Sequence, residues 1–212
     1  MRLGVLSDLH ANLPALEAAL EALRAEAVDE VLVLGDLVGY GPHPRQVIHR
    51  IWEEGLAAIA GAWDLRVAYP LPGPLPEGVG KATLEWTRAQ LGEKELAYLR
   101  SLRLSHRRAY GRMRLVAFHG KPGDPEERVD LLGPARDLAF FLEQYGAEAA
   151  GHLGHPLAAD LLGDLHGDGV QRAGECFAQG DFAIKSALVV VRFPALDAER
   201  RVRHFRFRRH AL

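Results

Sequence analysis

The stretch Leu3-Gly4-Val5-Leu6-Ser7-Asp8-Leu9-His10 decides the fold of this chain. Its apolar run, Leu3 to Leu6, is followed at once by a carboxylate and an imidazole, and a second run, Val31 to Leu34, leads into Gly35-Asp36. Short apolar runs of this kind are typical of buried parallel strands, and open α/β sheets hold their reacting groups at the carboxyl ends of such strands. The pattern predicts an α/β fold in which these polar side chains share one edge of a sheet.

Imidazoles follow two further apolar runs. His119 comes directly after Leu115 to Phe118, and the stretch Gly151-His152-Leu153-Gly154-His155-Pro156 comes after Ala147 to Ala150. The four runs together offer two carboxylates and four imidazoles, which is the ligand set of a divalent-metal site. A site of this composition suggests chemistry by a metal-bound hydroxide.

The order of these motifs resembles that of the calcineurin-like metallophosphoesterases, in which D-x-H is followed by G-D, G-N-H-D, H and G-H-x-H. The block Gly35-Asp36-Leu37-Val38-Gly39-Tyr40-Gly41-Pro42 is similar to the small bacterial phosphodiesterase-like branch of that family. A single D-x-H is common by chance, whereas all these elements in order are specific. The resemblance covers about Met1 to Pro156 and implies two facing mixed β-sheets flanked by helices, a four-layer α-β-β-α sandwich.

The chain departs from the family pattern at Gly61-Ala62-Trp63-Asp64, where the family has G-N-H-D. In the family the Asn is a ligand of the second metal and the His lies beside the leaving group. Ala62 has no ligating atom, Trp63 offers only a neutral N–H donor, and Asn12 is the only asparagine of the chain. We therefore expect a weakened second metal site and no general-acid His. Trp63 either packs into the emptied pocket or stacks against an aromatic part of the substrate.

The last motif carries one residue more than the family pattern, because Gly151-His152-Leu153-Gly154-His155 separates its imidazoles by two positions. A one-residue bulge at Gly154 would return His155 to the metal, and the alternative leaves one imidazole unbound. Histidine is the commonest metal ligand and nothing else in this loop would ligate, so we expect both His152 and His155 to bind.

The resemblance implies a site for one or two divalent ions, with Asp36 as the bridging ligand and Asp36 and His119 as catalytic residues. Its expected ligands are Asp8, His10, Asp36, His119, His152 and His155. Mixed carboxylate and imidazole ligation suits Mn, Fe, Zn, Co or Ni. Two such ions favour in-line attack on phosphorus, so the expected reaction is hydrolysis of a small phosphoester, and of a phosphodiester in particular, without a covalent intermediate. Trp63, Tyr40 and His43 are the expected substrate contacts, and Tyr40 or His43 is a candidate to replace the missing acid.

Composition limits the remaining choices. A chain of 212 residues with 48% hydrophobic residues suits one domain over residues 1–212. The net charge of -2 gives no general attraction for nucleic acid or an anionic membrane. A single cysteine, Cys176, excludes an intramolecular disulfide, and no apolar run approaches the length of a membrane span. We expect a cytoplasmic protein, and the scarcity of lysine and asparagine suggests a high-GC or a thermophilic source.

Periodicity and turn residues predict the order of the elements. Asn12 is expected to cap the first helix, and residues 69–76, which are rich in proline, are expected to form a surface loop. The predicted helices are Leu13 to Leu23, Arg45 to Glu53, Lys81 to Gln90, Glu93 to Arg100 and Pro134 to Tyr145. Beyond the runs above, the predicted strands are Leu56 to Ala60, Leu102 to Tyr110, Leu161 to Leu162, Val170 to Phe177, Ala187 to Phe193 and Val202 to Arg208.

Two other classes of function fit the same residues. A degenerate family member would keep the fold for binding or regulation, and the losses at Ala62 and Trp63 favour that interpretation. A nucleic-acid binder would use the run from Glu199 to His210, in which Phe205 and Phe207 alternate with basic residues, although an edge strand guarded by charge is the ordinary explanation of that pattern.

Overall fold

The structure is a computed structural model that describes residues 2–70, 78–110, 113–120, 123–126, 149–153, 170–171 and 187–192. It is a mixed α/β fold, as the sequence predicts. The strands are β1 (Arg2–Ser7), β2 (Glu30–Val33), β3 (Ala57–Ala58), β4 (Ser105–Tyr110), β5 (Met113–His119), β6 (Ala149–Leu153), β7 (Val170–Gln171) and β8 (Ala187–Arg192). The helices are α1 (Leu13–Ala25), α2 (Pro44–Glu53), α3 (Ala62–Ala68), α4 (Val79–Gln90) and α5 (Glu93–Ser101).

The first sheet has the strand order β3-β2-β1-β8-β7. Strands β1 and β2 are parallel, with Leu3 opposite Glu30 and Leu6 opposite Val33, and α1 makes the connection between them. Asn12 caps α1 through a 3.1 Å hydrogen bond from the Ala15 N–H, as predicted. Because parallel strands end at the same edge, the residues that follow β1 and β2 emerge side by side.

The second sheet has the strand order β4-β5-β6. Strands β4 and β5 form an antiparallel pair, and β6 runs parallel to β5. His119 is the last residue of β5 and is opposite Leu153 of β6, while Phe118 is opposite His152. The second sheet therefore brings the ends of β5 and β6 together.

Two apolar clusters hold these layers together. Leu3, Val5, Leu32 and Leu34 of the first sheet pack with Leu115 and Ala117 of the second, so the two sheets face each other. The opposite face of the first sheet packs on the helices, and this larger cluster includes Leu16, Leu20, Ile48, Ile51 and Leu99. The described residues thus form a helix layer and two sheet layers, and the helix predicted at 134–145 lies outside them.

The structure differs from the predicted elements at four places. Strand β4, predicted from Leu102, begins at Ser105. Strand β3 covers only Ala57–Ala58, and Ile59 pairs instead with Arg103 by an isolated bridge. Trp63 and Asp64 lie in the first turn of α3, a helix that the sequence did not predict. Gly151 and His152 lie inside β6, not after it, because pairing with β5 continues to Leu153.

Several predicted segments cannot be compared. The strands at 161–162 and 202–208 and most of the loop at 69–76 lie outside the described residues. Strands β7 and β8 match the first part of the run from Val170 and nearly all of the run from Ala187. No helix in the described part of the chain has the length and apolarity needed to cross a membrane.

Truncation of Ile51 in α2 tests the helix-side cluster. Its side chain is fully buried, so Ile51→Ala removes apolar contacts and leaves a cavity, and we expect the free energy of unfolding to fall by about 2–5 kcal/mol. Urea unfolding measures this change. Glu53→Ala, an exposed substitution in the same helix, is the control and should change it by less than about 0.5 kcal/mol. Equal effects of the two substitutions would contradict the packing described.

Candidate metal centre

The chain turns sharply after β1 and β2, and these turns place the polar side chains. Asp8, His10 and Asp36 adopt positive φ angles of 56°, 46° and 53°. Backbone hydrogen bonds join the two turns, from the Asp8 N–H to the Gly35 carbonyl (3.1 Å) and from the His10 N–H to the Asp36 carbonyl (2.8 Å). Positive φ is uncommon for residues with side chains and clusters at functional sites.

Gly61, which directly precedes α3, allows the backbone at that point to approach Asp36 closely. A Cβ atom on Gly61 would overlap the backbone nitrogen and the Oδ1 atom of Asp36. The Trp63 N–H, in the first turn of α3, donates a 2.9 Å hydrogen bond to that same Oδ1. One carboxylate oxygen of Asp36 is therefore held by the backbone, and the other, Oδ2, is directed elsewhere.

The Asp36 Oδ2 atom lies between two imidazoles. It is 3.7 Å from Nε2 of His10 and 3.6 Å from Nε2 of His119, while Nε2 of His10 is also 3.9 Å from Oδ1 of Asp8. All four side chains come from strand ends, three from the first sheet and one from the second. One ligating atom each from Asp8, His10 and Asp36 lies within 4.8 Å of the other two. The two sheets thus contribute to one cluster.

Both imidazoles turn Nδ1 away from the cluster and toward a backbone carbonyl. Nδ1 of His119 is 2.7 Å from the Leu34 oxygen, and Nδ1 of His10 is 3.3 Å from the Val38 oxygen. A carbonyl only accepts, so each Nδ1 is the donor, and in the neutral ring Nε2 keeps its lone pair.

Lone pairs on Nε2 then face carboxylate oxygens at distances too long for hydrogen bonds. Such an arrangement of acceptors is unfavourable by itself and becomes favourable around a cation. The outward hydrogen bond from Nδ1 is also the usual support of a metal-binding histidine. The donor set therefore fits a divalent metal such as Mn, Fe, Zn, Co or Ni.

Asp64 fixes the loop that carries Asp36, a role that the sequence did not predict. Its fully buried carboxylate accepts hydrogen bonds from the N–H groups of Leu37 (2.9 Å) and Val38 (3.2 Å) through Oδ1. Its Oδ2 accepts from the Gly61 N–H at 2.9 Å. The sequence holds one signal for this role, because Asp64 keeps the last residue of the family motif G-N-H-D while Ala62 and Trp63 depart from it. Because Gly61 is the N-cap residue of α3, the bond from its N–H to Asp64 also closes the N-terminus of that helix.

A hydrogen bond also orients the carboxylate of Asp8. The Ser7 hydroxyl, which is fully buried, donates a 2.7 Å hydrogen bond to Oδ2 of Asp8. This bond leaves Oδ1 of Asp8 facing His10. Partners of this kind orient ligands, and losing one typically reduces metal affinity about 10- to 100-fold.

Three buried acids crowd the site. Burial and the nearby charge of Asp36 raise the pKa of Asp8, and the same two causes raise the pKa of Asp64 to about 7, from an ordinary value of 3.8. Burial lowers the pKa of His119, but the carboxylates of Asp36 and Asp8 outweigh it and the net shift is upward. Neighbouring carboxylates contribute to each of these shifts, and a divalent cation would neutralise that negative charge.

The predicted substrate-contact residues lie around the same loop. The rings of His10 and Tyr40 are in edge contact, with centroids 5.0 Å apart, and the rings of Tyr40 and Trp63 are 4.4 Å apart. His43 precedes α2, and its Nδ1 is buried without a hydrogen-bond partner among the described residues. Tyr40 and Trp63 therefore border the cluster. The His43 N–H donates a hydrogen bond to the carbonyl of Ala11, the residue that follows His10.

The remaining predicted ligands belong to the last motif. The backbone of His152 lies in β6, beside the end of β5 that carries His119. His155 lies outside the described residues. The structure thus brings Asp8, His10, Asp36 and His119 together and places the His152 backbone on the neighbouring strand.

The raised pKa values predict how stability depends on pH and metal. In metal-free protein, Asp8, Asp64 and His119 bind protons more tightly when folded. The two acids therefore lower the free energy of unfolding as pH rises above about 4, Asp64 up to about pH 7, and His119 lowers it further above about pH 6.5. Mn²⁺ competes with these protons, and we expect it to raise the melting temperature more at pH 7.5 than at pH 5. Scanning calorimetry with and without Mn²⁺ measures both shifts.

Asp36→Asn is the test variant for this prediction, because it removes the shared ligand charge. It should lose most of the Mn²⁺-induced shift at pH 7.5. A shift of equal size at both pH values, or one that persists in Asp36→Asn, would contradict the assignment of the cation to this cluster.

Comparison with known proteins places this geometry in a family. The family model of the calcineurin-like phosphoesterase superfamily domain matches residues 1–156. Uncharacterized protein MJ0912 of Methanocaldococcus jannaschii is 27% identical over 124 residues, which are 58% of this chain and 51% of that protein.

Two solved structures are similar in fold. A metallophosphoesterase from Sphaerobacter thermophilus has a TM-score of 0.52 and 32% identity, with 72% of this chain and 59% of that chain covered. Hypothetical protein PH1004 from Pyrococcus horikoshii OT3 has a TM-score of 0.62 and 26% identity, with 71% and 68% covered. This chain spans about half the length of MJ0912 and less than two thirds of the Sphaerobacter protein. With a matching family model over 156 of its 212 residues and a clustered Asp8, His10 and Asp36, the chain belongs to the calcineurin-like phosphoesterase superfamily.

Proposed function

We propose that this protein hydrolyses small phosphoesters, phosphodiesters in particular, with one or two divalent metal ions held by Asp8, His10, Asp36 and His119. His152 and His155 complete the proposed ligand set. The observation that carries the proposal is the position of Asp36 Oδ2, 3.7 Å and 3.6 Å from two imidazole nitrogens whose other nitrogens face backbone carbonyls. Packing alone gives no reason to direct two lone pairs at one buried carboxylate.

Divalent cations supply two things at such a site, a more acidic water and positive charge for the phosphate oxygens. The protein's contribution is orientation. Asp36 presents one oxygen to both imidazoles because the Trp63 N–H holds the other. Asp64 fixes the backbone of Leu37 and Val38, and the Val38 carbonyl in turn orients His10. This rigid support keeps the ligands in place before substrate binds.

The leaving group receives little help from side chains. Trp63 stands where the family has its His, and its indole packs against Gly39 and Tyr40. Burial and the charge of Asp36 raise the pKa of Tyr40 above its ordinary value of 10.0, which makes its phenol a hydrogen-bond donor and a weak proton donor at neutral pH. We therefore propose a preference for esters of acidic alcohols, which leave without protonation.

The alternative is a family member that binds a phosphoester or regulates a partner without turnover. Ala62 and Trp63 favour it, since they remove a ligand and an acid from the family pattern. The third possibility, nucleic-acid binding through the basic run at 199–210, concerns residues outside the described part of the chain.

Hydrolysis of bis(p-nitrophenyl) phosphate tests the proposal directly, because its leaving group needs no general acid. We expect metal-stripped protein to gain saturable activity when titrated with Mn²⁺. His119→Gln should lower kcat/KM by more than about 10²-fold, since losing a ligand's supporting partner alone costs about 10- to 100-fold. His49→Gln is the matched control: its part-buried ring bonds Glu95 of α5 at 2.7 Å and belongs to no part of the cluster, so activity should stay near wild type.

Absence of turnover together with measurable Mn²⁺ binding would favour the binding or regulatory alternative. Equal activity in His119→Gln and wild type would contradict the proposed site.

A second prediction concerns the missing acid. We expect log kcat/KM for aryl phosphodiesters to fall steeply as the pKa of the leaving phenol rises, because the leaving oxygen departs unprotonated. Trp63→His restores an imidazole at the family position and should flatten that slope, with gains of up to about 10²-fold on the poorest leaving groups. The measurement is the slope for both proteins over a series of substituted phenols. An unchanged slope in Trp63→His would show that this position does not face the leaving group.

A further inference from the structure

A row of three rings runs outward from the metal-ligand cluster. His10, a proposed ligand, meets the ring of Tyr40 at 85° with centroids 5.0 Å apart. Tyr40 in turn contacts Trp63 at 4.4 Å with an angle of 59° between the rings. Trp63 is half-buried against the helix-side core, whereas 48% of the surface of Tyr40 is exposed. An aromatic surface therefore begins one ring away from the proposed cation site and is open to solvent.

Burial does not explain the position of Tyr40. Its backbone has a φ of 60°, a left-handed conformation that costs about 1–3 kcal/mol for such a residue. A large side chain usually compensates for strain by burying apolar area, but nearly half of this one remains exposed. Strain that packing does not offset is common where a side chain contacts a ligand.

The loop presents Tyr40 rigidly. The Gly41 N–H bonds the His10 carbonyl at 2.9 Å, and a Cβ at Gly41 would overlap that same oxygen. On the other side, Gly39 has a φ of 93°, and a Cβ there would lie 2.9 Å from the Trp63 ring. Tyr40 is thus fixed between two glycines that each contact one neighbour in the ring row. A ring held in this way loses little entropy when a ligand stacks on it.

We propose that Tyr40, backed by Trp63, is a stacking platform that selects phosphoesters carrying a flat aromatic group next to the phosphate. This inference rests on the proposed function, because it places the phosphate at the Asp36 cluster. Offset or edge contacts between aromatic rings add binding energy beyond simple burial, and the exposed face of Tyr40 offers such a contact beside His10. The selected ring is either an aryl group bonded directly to the ester oxygen or a nucleobase.

Binding of non-hydrolysed probes separates this recognition from leaving-group chemistry. Two probe pairs differ mainly by an aromatic ring, and all four probes are phosphonates, whose P–C bond is not hydrolysed: phenylphosphonate with methylphosphonate, and the 5′-methylenephosphonate analogue of adenosine 5′-monophosphate with that of ribose 5-phosphate. Calorimetric titration of the Mn²⁺-loaded protein gives the Kd ratio for each pair. We expect the ring-bearing member of at least one pair to bind about 3- to 10-fold more tightly. The pair that shows the preference identifies the source of the ring.

Three variants assign the preference to Tyr40. Tyr40→Leu should abolish it, and Tyr40→Phe, which keeps the ring, should retain it. Trp52→Leu removes another exposed aromatic ring near the end of α2, and it should leave both Kd ratios unchanged. The Mn²⁺ affinity of each variant is measured in parallel, because Tyr40 also contacts the ring of His10.

Each outcome decides between the possibilities. If Tyr40→Leu weakens Mn²⁺ and both members of a pair equally, Tyr40 only orients His10 and the platform is wrong. If the wild-type protein binds both members of each pair with equal affinity, the platform is also wrong while the proposed phosphate site stands. If Mn²⁺-loaded protein binds none of the four probes, the platform is wrong, and the hydrolysis of bis(p-nitrophenyl) phosphate then decides separately whether the proposed function stands.

Discussion

The buried carboxylate of Asp36 constrains the rest of the site. One of its oxygens is bound by a backbone N–H, and the other faces two imidazole nitrogens at 3.6 Å and 3.7 Å. With neutral imidazoles and no cation, this arrangement opposes lone pairs in a medium of low dielectric, and it lies beside the further buried acids Asp8 and Asp64. Three features bring these groups together. They are the turns after β1 and β2, the close approach of Gly61 to Asp36, and the end of β5, which carries His119.

The groups proposed to bind the cation are assembled in this chain, whereas the group that would protonate the leaving group is missing. Four strand-end side chains are assembled, the Ser7 hydroxyl donates a hydrogen bond to one of them, and the carbonyls of Leu34 and Val38 accept from two others, so the groups proposed to bind the cation are firmly held. At Trp63, where the family pattern has a proton donor, the structure has an indole packed on Tyr40. The two proposals follow from this contrast, since weak acid assistance and an aromatic surface both restrict which phosphoesters suit the site.

Much of this arrangement was predictable from sequence, because apolar runs that end in polar residues specify parallel strands and their common edge. The runs before Asp8 and Asp36 behave in this way, whereas the run before His119 is a strand of the second sheet. Helix α3 was not predictable, since seven residues beginning after Gly61 carry too little periodicity. The role of Asp64 was also hidden, because it depends on backbone N–H groups of Leu37 and Val38 from a distant turn. The positive φ angle of Tyr40 has no sequence signal either, since the residue is not glycine.

Anomalous X-ray scattering from crystals soaked in Mn²⁺ would locate the cation. We expect an anomalous peak within bonding distance of Asp36 Oδ2 and of Nε2 of His10 or His119, and a second peak if two metal ions bind. That peak should disappear in crystals of Asp36→Asn. Crystals of the wild-type protein that bind Mn²⁺ elsewhere, with no peak beside Asp36, would contradict the account.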